Sequence, residues 1–125
     1  MKSAFAAFSF VGILSSWPIP VQAEVLTWDC NFNKRVDENG TTLDPMRLIF
    51  RIDSVSQKAF MEGNAGIVEV GLHIGGNAFS FTERLASGVI QTTTITRDGI
   101  AVHSRHTVLL GEILPAQHLG RCAPK

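Results

Sequence analysis

The sequence predicts an all-β domain, an antiparallel meander of about seven or eight short strands curled into a small barrel or tight sandwich and closed by one disulfide. Three observations predict it. Apolar residues recur with period two through most of the chain after residue 24, Gly-containing reversals separate these runs, and Cys30 and Cys122 lie near opposite ends of the same stretch. No segment there sustains a 3.6-residue period, so helix is not expected beyond a turn or two.

Residues 1–23 read as a signal peptide. Lys2 provides the positive start, Ala4 to Leu14 the apolar run, and Pro18 and Pro20 a break before Val21-Gln22-Ala23, which places cleavage before Glu24. The apolar run is much shorter than the roughly 20 residues a spanning helix needs. No cysteine stands at the cleavage region for lipid attachment. Residues 24–125 are then a single β domain, exported to the periplasm or secreted, with no membrane association after cleavage. In an oxidising compartment the only two cysteines are expected to bridge each other.

The strands follow in order. Leu26, Trp28, Cys30 and Phe32 alternate with Thr27, Asp29 and Asn31, and Met46, Leu48, Phe50 and Ile52 alternate with Arg47, Ile49, Arg51 and Asp53. A short strand is expected over Lys58 to Glu62. Val68, Val70, Leu72 and Ile74 then alternate with Glu69, Gly71 and His73. Gly75-Gly76 reads as a two-residue hairpin setting Ile74 opposite Asn77, Leu72 opposite Phe79 and Val70 opposite Phe81. Ala86-Ser87-Gly88 suits a three-residue loop with Gly88 left-handed, pairing Leu85 with Val89, Glu83 with Gln91 and Phe81 with Thr93. Asp98-Gly99 reads as a two-residue hairpin pairing Arg97 with Ile100, Ile95 with Val102, Thr93 with Ser104 and Gln91 with His106.

Those registers place Glu83, Gln91 and His106 side by side on three neighbouring strands, on the face that also carries Phe79, Leu85, Val89, Ile95, Val102 and Val108. Thr93 and Ser104 form the next row. Polar groups there must satisfy one another or line a wet cavity. A Glu83–His106 pair would favour the imidazolium. The same registers put His103 and Arg105, with Arg47, Arg51, Thr92, Thr94 and Thr96, on solvated outer faces, and His73 and His118 read as surface histidines.

Composition excludes some functions and leaves others. The chain balances 11 Lys and Arg against 11 Asp and Glu, and loss of residues 1–23 removes only Lys2 among them, so no basic stripe points to nucleic acid. Ser104 and His106 stand two apart on one strand, roughly 7 Å by strand rise, too far for direct proton transfer. His103 and His106 fall on opposite faces of a strand, so they do not form a metal pair, and two isolated cysteines lack zinc spacing. The expectation is a monomeric, non-enzymatic binding domain without cofactor or metal. It takes a protein partner or a small apolar ligand in a cavity lined by Phe79, Phe81, Ser104 and His106.

Trp28-Asp29-Cys30 and Gly120-Arg121-Cys122 resemble the ends of small exported β proteins of alphaproteobacterial type, a group with no assigned activity. The chain is also similar in architecture to the periplasmic inhibitors of c-type lysozyme, small antiparallel barrels with an aromatic-x-Cys start and a terminal Cys. In that family a Ser-x-Ser-Gly-x-x-Tyr loop enters the lysozyme cleft. Ala86-Ser87-Gly88 matches its centre, while Leu85 replaces the first Ser and Gln91 the Tyr. The resemblance therefore implies a contact role for Ser87 alone.

Overall fold

The computed structural model describes residues 24–125; the expected signal peptide lies outside them. Eight strands follow one another: β1 (Val25–Asp37), β2 (Gly40–Asp53), β3 (Ala59–Gly63), β4 (Gly66–Ile74), β5 (Ala78–Arg84), β6 (Ile90–Thr96), β7 (Ile100–Leu109) and β8 (Glu112–Pro124). Each pairs antiparallel with the next and β8 returns to β1, so the sheet closes into a barrel. Closure leaves no free sheet edge along the paired lengths.

The barrel interior is packed by the residues whose alternation predicts it. Phe32, Phe50, Phe81 and Ile95 are almost completely buried. The Phe50 and Phe81 rings stack with centroids 4.2 Å apart, Phe79 meets Phe81 edge-on at 5.8 Å, and Trp28 lies 5.1 Å from Phe79. Burying each phenylalanine contributes roughly 1.5–3 kcal/mol, with a further increment from the ring geometry. Cys30 and Cys122 face each other directly across the β1–β8 seam and are disulfide-bonded, joining positions 92 residues apart.

One of the three reversals follows the expected register and two do not. The 85–89 turn pairs Glu83 with Gln91 and Phe81 with Thr93; Gly88 has φ 95° and its N–H donates to the Leu85 carbonyl. At the Gly75-Gly76 turn, Ile74 instead faces Phe79 and Leu72 faces Phe81, a shift of two that preserves every residue's face. A two-residue primed turn needs positive φ, which neither glycine adopts. Arg97 reaches across from the next reversal instead, donating from Nε to the Gly76 carbonyl at 2.7 Å and from Nη2 to the Gly75 carbonyl at 3.3 Å.

The Asp98-Gly99 reversal is a correction of one residue, which matters more. Thr96 and Ile100 flank a three-residue loop in which Gly99 has φ 91°, its N–H donates to the Thr96 carbonyl at 2.9 Å, and the Ile100 N–H donates to the Thr96 hydroxyl at 3.1 Å. Thr93 therefore faces His103 and Thr92 faces Ser104. A one-residue slip exchanges the two faces of a strand. Ala101, His103 and Arg105 point inward, whereas Val102, Ser104 and His106 point outward.

A bulge between Phe32 and Lys34 interrupts pairing on both sides of β1. Beyond it Arg35 faces the inward His118 and Asp37 faces Ala116, so the bulge turns a basic side chain into the barrel that unbroken alternation would have sent outside. Gly120 lies opposite, where a Cβ would stand only 2.5 Å from Phe32 Cα and overlap the Asn31 carbonyl.

The two poles of the barrel differ. Chain positions 25 and 124 and the β2–β3, β4–β5 and β6–β7 reversals occupy one; the β1–β2, β3–β4, β5–β6 and β7–β8 hairpins occupy the other. At the second pole β7 and β8 continue pairing from Arg105–Ala116 to Leu109–Glu112, beyond the last β1 partner of β8, Asp37 opposite Ala116. The result is a two-stranded ribbon projecting roughly 13 Å past its neighbour.

Candidate functional site

Two polar rows line the barrel interior just below the hairpin pole. Registers run Phe81–Thr93–His103–His118–Arg35 through β5, β6, β7, β8 and β1. The next row holds Glu83 opposite Gln91, and Arg105 opposite Ala116 opposite Asp37. The sequence places His106 and Ser104 in these rows; the slip at Asp98-Gly99 puts Arg105 and His103 there instead.

His103 is 2 % exposed and both ring nitrogens are engaged. Its Nδ1 lies 2.6 Å from Thr93 Oγ1 and its Nε2 lies 3.1 Å from Gln91 Oε1. An amide oxygen only accepts, so Nε2 carries the proton and Nδ1 accepts from the threonine hydroxyl. Burial pushes the imidazole down to about 4, with His118 and Arg105 acting in the same direction, so the ring is neutral at neutral pH. The Thr93 hydroxyl is buried too, closed to any substrate.

His118, expected at the surface, is 4 % exposed. Its Nδ1 is buried without a hydrogen-bond partner, which costs roughly 1–3 kcal/mol unless something fills the gap. Burial lowers its pKa, Arg105 and Arg35 add to that, and Asp44 opposes them. Arg35 stands with Nε 3.2 Å from Asp37 Oδ2 and Nη1 3.9 Å from Asp44 Oδ2. Arg105 has no ion-pair partner among the described residues. Arg35, Asp44, Arg105, Thr107, Leu114, Ala116 and His118 enclose a pocket of about 190 Å³ at the base of the ribbon.

Arg105 also borders a second, more open cleft of about 330 Å³ with Met46, Met61, Val68, Glu83 and Gln91. The cleft exists because β4 pairs with β5 only from Gly71 to Ile74, leaving the start of β4 and the end of β5 splayed. Glu83 and Gln91 are thus paired as expected, and Arg105 lines the same cleft without an ion pair to Glu83.

Ser87 is exposed at the tip of the β5–β6 hairpin, at the same pole. His106 is exposed and Ser104 half-buried on the outer face, so neither meets Phe79 or Phe81, and those two rings pack against each other, with Trp28 on Phe79 and Phe50 on Phe81. Among the described residues no group of three or more His, Cys, Asp or Glu is arranged to hold a metal ion.

Above the pocket the ribbon is apolar at its tip. Val108, Leu109 and Ile113 are more than half exposed and Leu110 is 95 % exposed. Leu110 and Gly111 form the two-residue turn with φ 53° and 79°. The first of these is a conformation leucine rarely adopts and asparagine usually fills.

His103, His118, Arg35, Arg105 and the ribbon are what sequence reasoning missed. A signal existed in Thr96-Arg97-Asp98-Gly99, which repeats the spacing of Leu85-Ala86-Ser87-Gly88 with glycine at the same position. Comparison with protein-family models, with curated proteins and with solved structures gives no match.

Proposed function

We propose that the domain is an exported, non-enzymatic binding module that engages a protein partner with its hairpin pole. The observation that carries this reading is the projecting β7–β8 ribbon. Its tip holds four exposed aliphatic side chains, and one of them, Leu110, occupies a strained left-handed position. An exposed apolar hairpin and a strained leucine both cost stability, and both are accounted for by contact with another surface. The Cys30–Cys122 disulfide supports an oxidising compartment, and the periplasm is the reading that the likeness to exported proteins favours.

The exposed Ser87 turn at the same pole favours one specific partner, a c-type lysozyme. Purified residues 24–125 are expected to lower lysozyme activity at near-stoichiometric ratio, less so after Ser87→Asp. Full lysozyme activity at large excess of the domain removes lysozyme as the partner. The wider reading has its own test. Proteins retained from a periplasmic extract by the wild type should be lost on a Leu109→Asn, Ile113→Thr ribbon variant and kept on an Ile74→Thr variant at the opposite pole. Equal retention by both variants removes the ribbon as the contact surface.

A further inference from the structure

We propose that the pocket at the base of the ribbon, bounded by Arg35, Arg105, Thr107 and His118, binds a small monocarboxylate with a short apolar tail. This goes beyond the partner reading and stands apart from it, because the ribbon tip and the pocket are different surfaces.

Charge is the first reason. The pocket lining contains two guanidinium groups and one carboxylate, Asp44. Asp44 lies at 3.9 Å from Arg35 Nη1, and Asp37, outside the lining, stands 3.2 Å from Arg35 Nε without a hydrogen bond to it. Arg105 is left with no acidic partner among the described residues. Both nearby carboxylates stand on Arg35, so the Arg105 guanidinium is the free cation of the lining among the described residues, and its planar fork fits a carboxylate.

The other polar groups of the lining are the second reason. The His118 ring forms part of the pocket wall. Thr107 adds a hydroxyl beside Arg105 on the same inward face of β7.

Shape decides between anions. The pocket is about 190 Å³, slightly larger than a cavity of about 150 Å³ that accepts benzene. Leu114 and Ala116 supply apolar wall on β8, which a phosphate would leave unused. Asp44 at the rim disfavours a second negative charge. Both point to a single carboxylate whose aliphatic part rests on Leu114 and Ala116.

The test uses residues 24–125 with the disulfide intact and isovalerate as ligand, followed by NMR. Saturable shifts are expected at the His118 ring and at Leu114 and Arg105, with a dissociation constant on the order of 1 mM or tighter. Isovaleramide, the uncharged analogue, and inorganic phosphate should each bind at least tenfold more weakly. Arg105→Gln should weaken isovalerate at least tenfold, and Arg105→Lys should restore part of it. Absence of saturation at roughly ten times that concentration overturns the proposal. Equal binding of the amide overturns it as well, and so does phosphate binding as tightly as isovalerate. These ligand comparisons need no variant, so a poorly folded Arg105→Gln does not shelter the proposal.

Discussion

Thr93 Oγ1 lies 2.6 Å from His103 Nδ1, with both side chains inside the barrel, and because the Gln91 amide oxygen accepts from Nε2 the hydroxyl donates to a buried, neutral imidazole. In the unfolded chain that ring titrates near 6.5, while in the folded domain it falls to about 4. Between these values the unfolded state takes up a proton that the folded state refuses. Stability is therefore complete above about pH 6.5 and falls as pH drops toward 4, by on the order of 3 kcal/mol from this residue. His118, whose pKa is also lowered by burial, acts in the same direction. Denaturant unfolding between pH 7 and 4 checks it; a flat profile contradicts the buried neutral ring. Thr93→Val, which strands Nδ1, is expected to cost roughly 1–3 kcal/mol at neutral pH.

Two glycines are expected to tolerate nothing larger. A Cβ at Gly120 would overlap the backbone of Asn31 and Phe32, and one at Gly99 would overlap the Cys122 carbonyl. Gly120→Ala should destabilise by about 3 kcal/mol or prevent folding, because the obstacle is backbone and cannot move aside. Gly76→Ala, with open space around the new methyl and an ordinary φ, should stay within about 0.5 kcal/mol of wild type. Thermal unfolding of the two variants separates the cases.

Removing the disulfide should cost most of the domain's stability. Cys30 and Cys122 close a loop across 92 positions, for which chain entropy gives roughly 4–5 kcal/mol. A Cys30→Ser, Cys122→Ser variant, or the wild type in reductant, is expected to unfold at markedly lower denaturant concentration. An unchanged midpoint would mean that the β1–β8 seam holds by its hydrogen bonds and side chains alone.

Leu110→Asn should move stability and binding in opposite directions. Asparagine accepts the left-handed conformation that leucine resists, so the variant should gain about 0.5–1 kcal/mol, a rise of several degrees in Tm. It should also weaken any partner contact made through the ribbon tip. Lower stability together with unchanged binding would remove both the strain and the role assigned to it.

The fold was legible because period-two alternation survives small errors of register. The Gly75-Gly76 reversal departs from expectation by two residues and still leaves Leu72 and Phe81 on the inner face. The interior polar rows were not legible, for the converse reason. On β7 the alternatives were Val102, Ser104 and His106 or Ala101, His103 and Arg105, two mixed sets that hydrophobicity does not rank. The choice was made by the Thr96 hydroxyl and by the docking of Gly99 on Cys122, whose N–H donates to the Gly99 carbonyl at 2.7 Å. Arg35 was hidden similarly, since a bulge leaves no mark on composition. Glu83, Gln91 and the Ser87 turn were placed correctly because Gly88 alone determined their loop.

The seam between β1 and β8 also fixes how the domain can be attached to anything else. Trp28 sits opposite Pro124, and the Lys125 N–H donates to the Thr27 carbonyl, so both ends of the described chain leave side by side from the pole away from the ribbon. A tag, a surface linkage or a fused protein joined at either end would hold the barrel upright with Leu110 pointing away from the anchor, and a new pair of ends cut into a hairpin could be rejoined there by a short bridge.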